Sequence, residues 1–122
     1  MFPEWRKEKD AGGTYSDPEL PFDISYSPDL WDEAANTVWD IKPSVFCLRN
    51  LDRCVAQLSG YRHFKEATEA GFLLYSKFYA RDGEVRIDGP WPWTPRSFVP
   101  WERLRGIALA SRELLGERDA AA

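Results

Sequence analysis

The sequence predicts a small single α+β domain with three to four helices, one antiparallel β-hairpin and a long irregular N-terminal arm. Its 122 residues suit one domain, and its 43% hydrophobic residues are enough to form a core. Apolar residues recur at helical spacing in several stretches that end at proline or glycine. Asp82-Gly83, a strong hairpin-turn signal, separates two β-rich stretches. We expect an arm over residues 1–26, an α+β body over 27–116 and a frayed tail over 117–122.

The N-terminal arm, residues 1–26, combines several prolines with a Gly-Gly pair and shows no sustained hydrophobic period. This composition predicts loops and extended segments. The arm has too many apolar residues for a free linker, so we expect it to pack on the body or to be ordered by a partner. Within it, the stretch PFDISY alternates apolar and polar side chains, which predicts one short strand.

Two helices are predicted next. Ser27 can cap a helix over residues 28–42, because proline suits the first helical position and acidic residues favour the first turn. Pro43 ends this helix. A second helix is predicted from Ser44 to Leu58, with leucine and valine along one stripe and a glycine shortly after its end.

Residues 62–88 allow two interpretations. In the first, a short helix from Arg62 to Ala70 precedes two strands, 72–80 and 84–88, which form the hairpin around Asp82-Gly83. In the second, residues 62–80 form one long helix, because aromatic and aliphatic residues recur there at helical spacing. We favour the hairpin because of the β-rich composition and the turn signal. The last helix is predicted to carry its packing face from Trp101 to Leu115.

The charge of the chain is unevenly distributed along its length. Residues 17–41 contain seven acidic residues and no basic one, whereas residues 44–122 contain twelve basic and ten acidic residues. Two interpretations remain open. In the first, the charges serve the chain itself, because the two parts attract each other or the acids aid solubility. In the second, the acidic stretch meets a basic partner surface. Three of these acids, Asp29, Asp32 and Glu33, are candidate partner-binding residues.

Several kinds of chemistry find no support in the sequence. His63 is the single histidine, so the chain offers no two-histidine metal site, and no phosphate-binding or nucleophile motif accompanies it. Cys47 and Cys54, placed on one helix, are expected about 10 Å apart, too far for a disulfide. We therefore predict no metal, no cofactor and no catalytic residue, and the sequence favours a binding protein over an enzyme. Without a membrane-spanning run or a signal-peptide pattern, we expect a cytoplasmic protein.

The stretch GPWPWTPRSFVPW, residues 89–101, is the candidate contact surface. Prolines fix its backbone, and tryptophan and arginine are common at the centres of protein interfaces. Trp91, Trp93 and Arg96 are therefore predicted to anchor a partner, although the aromatic rings would equally serve to cover the core.

From these features we expect a soluble protein-protein interaction module that binds another protein with a basic surface. By analogy of size and charge alone, it would be an inhibitor or immunity-type accessory protein of the kind encoded on bacterial mobile elements, which occludes a partner enzyme. One alternative is a small-molecule or nucleotide pocket lined by the aromatic stretch and the hairpin. Another, less favoured because the chain is acidic overall, is single-stranded nucleic-acid binding through tryptophan and arginine. The sequence leaves the oligomeric state open.

Overall fold

A computed structural model describes residues 6–7, 11–79 and 81–110 of the chain. In chain order, the secondary-structure elements of the described residues are β1 (Arg6–Lys7), β2 (Gly13–Tyr15), β3 (Ile24–Tyr26), β4 (Leu30–Asp32), β5 (Thr37–Pro43), α1 (Ser44–Arg49), α2 (Leu51–Phe64), β6 (Glu69–Tyr79), β7 (Val85–Trp93) and α3 (Trp101–Ala110). A short 3-10 turn, Arg81–Gly83, lies between β6 and β7.

The strands form a mixed sheet and a separate ribbon. The sheet has the order β1-β4-β5-β6-β7, and the ribbon pairs β2 with β3. Strands β5 and β6 are parallel, whereas the other neighbours are antiparallel. Parallel neighbours need a crossover connection, which α1 and α2 provide. The predicted class of three to four helices with one hairpin and an irregular arm is therefore wrong, and only the α+β mixture remains.

The helix predicted over residues 28–42 is wrong, because this stretch folds as the antiparallel strands β4 and β5. A tight turn joins them. Asp32 accepts a hydrogen bond from the backbone N–H of Ala35 at 3.2 Å, and Asn36 adopts a left-handed φ of 49°. Asparagine tolerates this conformation, and a short acidic side chain at the start of such a turn satisfies its backbone. The acids that suit a helix start therefore belong to a turn.

The expectation of an irregular arm is also corrected. Strand β1 extends the main sheet by pairing with β4, and β2 pairs with β3 in register Gly13 to Tyr26. Strand β3 confirms the strand predicted in PFDISY. Residues 1–5 and 8–10 lie outside the described residues.

The helix predicted from Ser44 to Leu58 is broken at Asn50 into α1 and α2, and α2 continues to Phe64. Asn50 leaves helical geometry, and its side-chain amide donates to the carbonyl of Phe46 at 2.9 Å. This break brings the thiols of Cys47 and Cys54 into hydrogen-bonding contact, whereas one continuous helix would separate them by about 10 Å. Both cysteines are buried and free, and burial raises the pKa of the Cys47 thiol to about 11.

Between α2 and β7 the structure confirms the hairpin and excludes the long helix. Strands β6 and β7 pair antiparallel, and the connecting turn contains Asp82 with a φ of 66°. The short helix predicted from Arg62 to Ala70 is wrong beyond Phe64, because Glu66 takes a left-handed φ of 54° and ends the helical run. The last predicted helix is present as α3 to Ala110, and residues 111–122, including the predicted tail, lie outside the described residues.

Two apolar clusters form the core. The first lies between the sheet and helices α1 and α2, and its largest fully buried side chains are Phe72 and Leu58. The second joins Leu20 and Ile24 from the N-terminal segment to Phe64 of α2 and Leu104 of α3. None of the described helices has the length and apolar character needed to cross a membrane. The second cluster places the start of α3 against the end of α2, beside the aromatic stretch.

Candidate functional site

Two of the predicted contact residues, Trp91 and Trp93, lie on β7 and are exposed. They retain 46% and 39% of their accessible surface, respectively. Trp93 lies opposite Phe72 of β6, and their rings stack with centroids 5.7 Å apart. Trp93 therefore covers the core with one face and meets solvent with the rest. Trp91 lies opposite Leu74 and reaches further into solvent.

A groove lies beside Trp93, between the start of α2 and residues 93–97. Its volume is about 470 Å³, and Leu51, Val55 and Trp93 form much of its apolar lining. Arg96 and Asp52 add one charge of each sign. We call this feature the Trp93 groove. Pro95 is buried and restricts the backbone between the tryptophan and the arginine, so this part of the groove wall is constrained before a ligand binds.

The acidic residues predicted to join this surface lie elsewhere. Strand β4, which ends at Asp32, is separated from β7 by β5 and β6, a distance of roughly 14 Å at about 4.8 Å per strand. Asp29 accepts a hydrogen bond from the backbone N–H of Ile41 at 2.7 Å, and Asp32 caps the β4–β5 turn. Glu33 is exposed in that turn. The structure therefore brings Trp93 and Arg96 together and leaves the three acids on a different part of the sheet.

A larger pocket of about 830 Å³ lies between the end of α2 and the start of α3. On one side, the phenol of Tyr15 and Nε2 of His63 share a hydrogen bond of 2.9 Å. The His63 ring also stacks on Trp101, with centroids 4.8 Å apart and an interplanar angle of 8°. On the other side, the Arg62 guanidinium lies 4.6 Å from the centre of the Phe98 ring.

Burial favours the neutral forms of the histidine and tyrosine in this pocket. Desolvation lowers the pKa of His63, although Asp17 and Glu66 oppose the shift, and desolvation also raises the pKa of Tyr15. A neutral imidazole paired with a phenol can exchange hydrogen-bond roles with a ligand. Within the described parts of the chain, no group of three or more histidine, cysteine, aspartate or glutamate side chains is placed to hold a metal ion.

The carboxylate of Asp17 fixes the position of Trp101, which lines this pocket. Asp17 accepts hydrogen bonds from the indole N–H of Trp101 at 2.6 Å, from Nε of Arg105 at 3.1 Å and from the backbone N–H of Glu19 at 2.8 Å. The bond from the Glu19 backbone is the largest of the causes that lower the pKa of Asp17, followed by the bond from Trp101. This role of Asp17 is not predicted from the sequence. The one related feature of the sequence is the attraction expected between the acidic stretch, residues 17–41, and the arginine-rich residues 44–122.

A second buried acid, Asp40, lies in β5 beneath α1. Desolvation, reinforced by a hydrogen bond with the Asp29 carboxyl, raises the pKa of Asp40 to about 7. Nζ of Lys42 lies 3.1 Å from the Asp40 carboxyl and opposes this shift. The group is enclosed by the sheet and helices, away from both the groove and the pocket lining.

Comparisons of the chain with known protein families, curated proteins and solved structures found no match. Any function assigned to the chain therefore rests on the geometry of the groove and the pocket.

Proposed function

We propose that this chain is a protein-binding module whose contact surface consists of the Trp93 groove and the adjacent Trp91. The observation that carries the proposal is the exposure of both indoles on a strand that borders a preformed groove. Large aromatic side chains that remain in solvent beside a concave surface are typical of partner-binding centres.

The backbone of this surface lowers the entropic cost of docking. Pro90, Pro92 and Pro95 restrict the chain before any partner arrives, so association orders few additional torsions. Trp93 is already fixed by its stacking on Phe72. Such preorganisation lowers the entropic cost of binding, which allows a small groove to contribute useful affinity.

The lining of the groove supports a particular partner chemistry. Leu51, Val55 and Trp93 accept an apolar side chain, and Arg96 at the rim favours a carboxylate close to it. We therefore propose a partner segment that combines a large apolar residue with an acidic neighbour. Asp29, Asp32 and Glu33 lie away from the groove, so a basic partner surface that binds them forms a separate contact. The groove adds no support for the inhibitor role expected from size and charge.

A displayed library of random peptides tests this proposal directly. The full chain serves as bait, and the Arg96→Glu variant serves for counter-selection. We expect the enriched peptides to share an aromatic or leucine residue with a nearby aspartate or glutamate. Their affinity, measured by titration calorimetry, should fall about tenfold or more with Trp91→Ala and with Arg96→Glu, because a truncated hot spot commonly costs more than about 1 kcal/mol.

Leu109→Ala is the matched control, because Leu109 is an exposed apolar residue on α3 outside the groove. It should leave peptide affinity unchanged. Trp93→Ala is less suitable as the main variant, since loss of its stacking on Phe72 would also destabilise the fold. Failure to enrich any peptide motif, or binding that is indifferent to both Trp91→Ala and Arg96→Glu, would refute the proposal.

The pocket between α2 and α3 supports a second candidate function, the binding of a small planar anion. It offers aromatic walls from Phe98 and Trp101 and a guanidinium from Arg62. A titration with a nucleoside monophosphate, followed through the indole N–H resonance of Trp101 by NMR, tests it. A saturating shift of that resonance supports the pocket, and an unchanged spectrum excludes this ligand class. The sequence suggested a pocket between the aromatic stretch and the hairpin, whereas this pocket lies between the end of the aromatic stretch and α2.

A further inference from the structure

Strand β7 forms one edge of the main sheet, and no strand of the described residues pairs with its outer side. Its N-terminal half is strongly exposed: Ile87 retains 66% and Val85 retains 45% of its accessible surface. An edge strand presents unpaired backbone N–H and C=O groups that can pair with another strand. The edge is therefore a surface for strand addition.

The free edge is confined to the N-terminal half of β7. A bulge separates the two halves, since Gly89 and Pro90 together oppose the single residue Tyr75. Beyond it, Pro90 and Pro92 lack the N–H groups that a neighbouring strand would need. An added strand can therefore pair along residues 84–88 and no further.

The side chains of this short segment are complementary to a second copy of themselves. In the sequence Glu84-Val85-Arg86-Ile87-Asp88, charged and apolar residues alternate, and the charged residues are acidic, basic and acidic in turn. In a symmetric antiparallel pair, residues that lie opposite each other must share a face of the sheet. With the twofold axis at Ile87, Arg86 of each copy lies opposite Asp88 of the other, and the two Ile87 side chains meet at the axis.

The two neighbouring registers are less favourable. An axis at Arg86 places the two arginines opposite each other and also opposes Glu84 with Asp88, so that every charged pair repels. An axis at Val85 pairs Glu84 with Arg86 but moves the contact towards the turn at Asp82, which is not in an extended conformation. The charge pattern therefore excludes the axis at Arg86, and the turn at Asp82 disfavours the axis at Val85, which leaves the axis at Ile87.

We propose that this chain forms a reversible homodimer in which the β7 strands of two copies pair antiparallel about Ile87. The contact joins the two main sheets into one continuous sheet across the dimer. Because each copy contributes only a short strand, the dimer is weak and depends on concentration. Trp91 and the Trp93 groove lie beyond the bulge and remain available, so the dimer does not depend on the proposed protein-binding function.

Sedimentation velocity of the full chain at low ionic strength, from low to high micromolar concentration, tests the dimer. Arg86→Asp alone and Asp88→Arg alone should each weaken it by about tenfold, because each replaces two attractive cross-strand pairs with repulsive ones. The combination Arg86→Asp/Asp88→Arg restores opposite charges across the axis and should recover wild-type association. Arg86, Ile87 and Asp88 are all exposed, so folding should be unaffected.

The charge-exchange design separates the proposed register from other dimers. An axis at Val85 would make Asp88→Arg silent and would leave the double variant dissociated. A dimer through another surface would respond to none of these changes. Either pattern, or a monomer at every concentration, overturns the proposal, whereas loss in both single variants and recovery in the double variant supports it. Ile87→Lys, which places a charge on the axis, should abolish association without altering the thermal unfolding midpoint.

Discussion

The buried carboxyl of Asp40 makes the stability of this protein depend on pH in a direction opposite to that of most acids. The pKa of Asp40 is raised from its usual 3.8 to about 7, first by desolvation and then by the hydrogen bond with Asp29. The folded state therefore binds this proton more tightly than the unfolded state does. Between pH 3.8 and about pH 7, the free energy of unfolding falls as pH rises, since the buried group must ionise.

Asp40→Asn removes this titration while preserving the size and polarity of the side chain. The interval from 3.8 to about 7 corresponds to an upper limit of about 4 kcal/mol, at about 1.4 kcal/mol for each pKa unit. We therefore expect the variant to gain about 2 to 4 kcal/mol relative to the wild type between about pH 4 and about pH 8.

Urea unfolding, followed by tryptophan fluorescence at several pH values in that range, measures this difference. Asp82→Asn is the control, because Asp82 is exposed in the β6–β7 turn and asparagine tolerates its left-handed φ of 66°. The control should differ from the wild type by a nearly constant amount at all pH values. If the Asp40→Asn difference is equally flat, or if the variant loses stability relative to the wild type as pH rises, the buried carboxyl is not protonated in the folded state.

Two further predictions concern close packing and the Asp17 carboxylate. Gly71→Ala should lower the free energy of unfolding by about 1 to 3 kcal/mol, because a Cβ there would lie 2.5 Å from Cζ3 of Trp39. Gly106→Ala is the control: no atom lies within 4 Å of its new Cβ, so the free energy of unfolding should rise by about 0.5 to 1 kcal/mol. Equal effects of the two variants in urea unfolding would contradict the role of packing. Trp101→Phe removes the N–H donor to Asp17, raises the pKa of that carboxyl and should lower the thermal unfolding midpoint more at neutral than at acidic pH. The same loss at both pH values would indicate packing alone.

The sequence predicted well where local signals agreed with the final contacts. The Asp82-Gly83 turn and the β-rich residues on both sides predict the β6–β7 hairpin, and glycine at position 83 takes the left-handed φ that the turn requires. The helix at Trp101 also formed, because its apolar spacing matches a single buried stripe that includes Leu104 and Ala108.

The prediction failed where the apolar residues fit both a helical and a strand periodicity. In residues 28–42, the apolar side chains fit a helix, yet Val38 and Asp40 point into the core from alternate positions of β5. The long-range pairing of β5 with β6, more than thirty residues away in sequence, decides between the two. No local propensity reports such a pairing.

The candidate site was predicted in part for the same reason. The exposure of Trp91 follows from its place on an edge strand, whereas the sequence predicted only a rigid proline-rich stretch whose rings would equally serve to cover the core. The groove wall contributed by Leu51 depends on how α2 packs beside residues 93–97, and spacing alone cannot supply that arrangement. Likewise, the link between Asp17 and Trp101 spans 84 positions and required the complete fold.

The bulge in β7 connects the two proposals, because it divides one strand into halves with different surfaces. Gly89 has a φ of 107°, and a Cβ there would lie 2.8 Å from the carbonyl oxygen of Leu74, so this position requires glycine. Before the bulge, the backbone edge is free and the side chains are self-complementary in charge. After it, prolines block further strand addition while Trp91 remains exposed. A sheet edge that is open over only a few residues can bind one short strand without extending into a larger assembly, and the adjacent tryptophan stays accessible to a different partner.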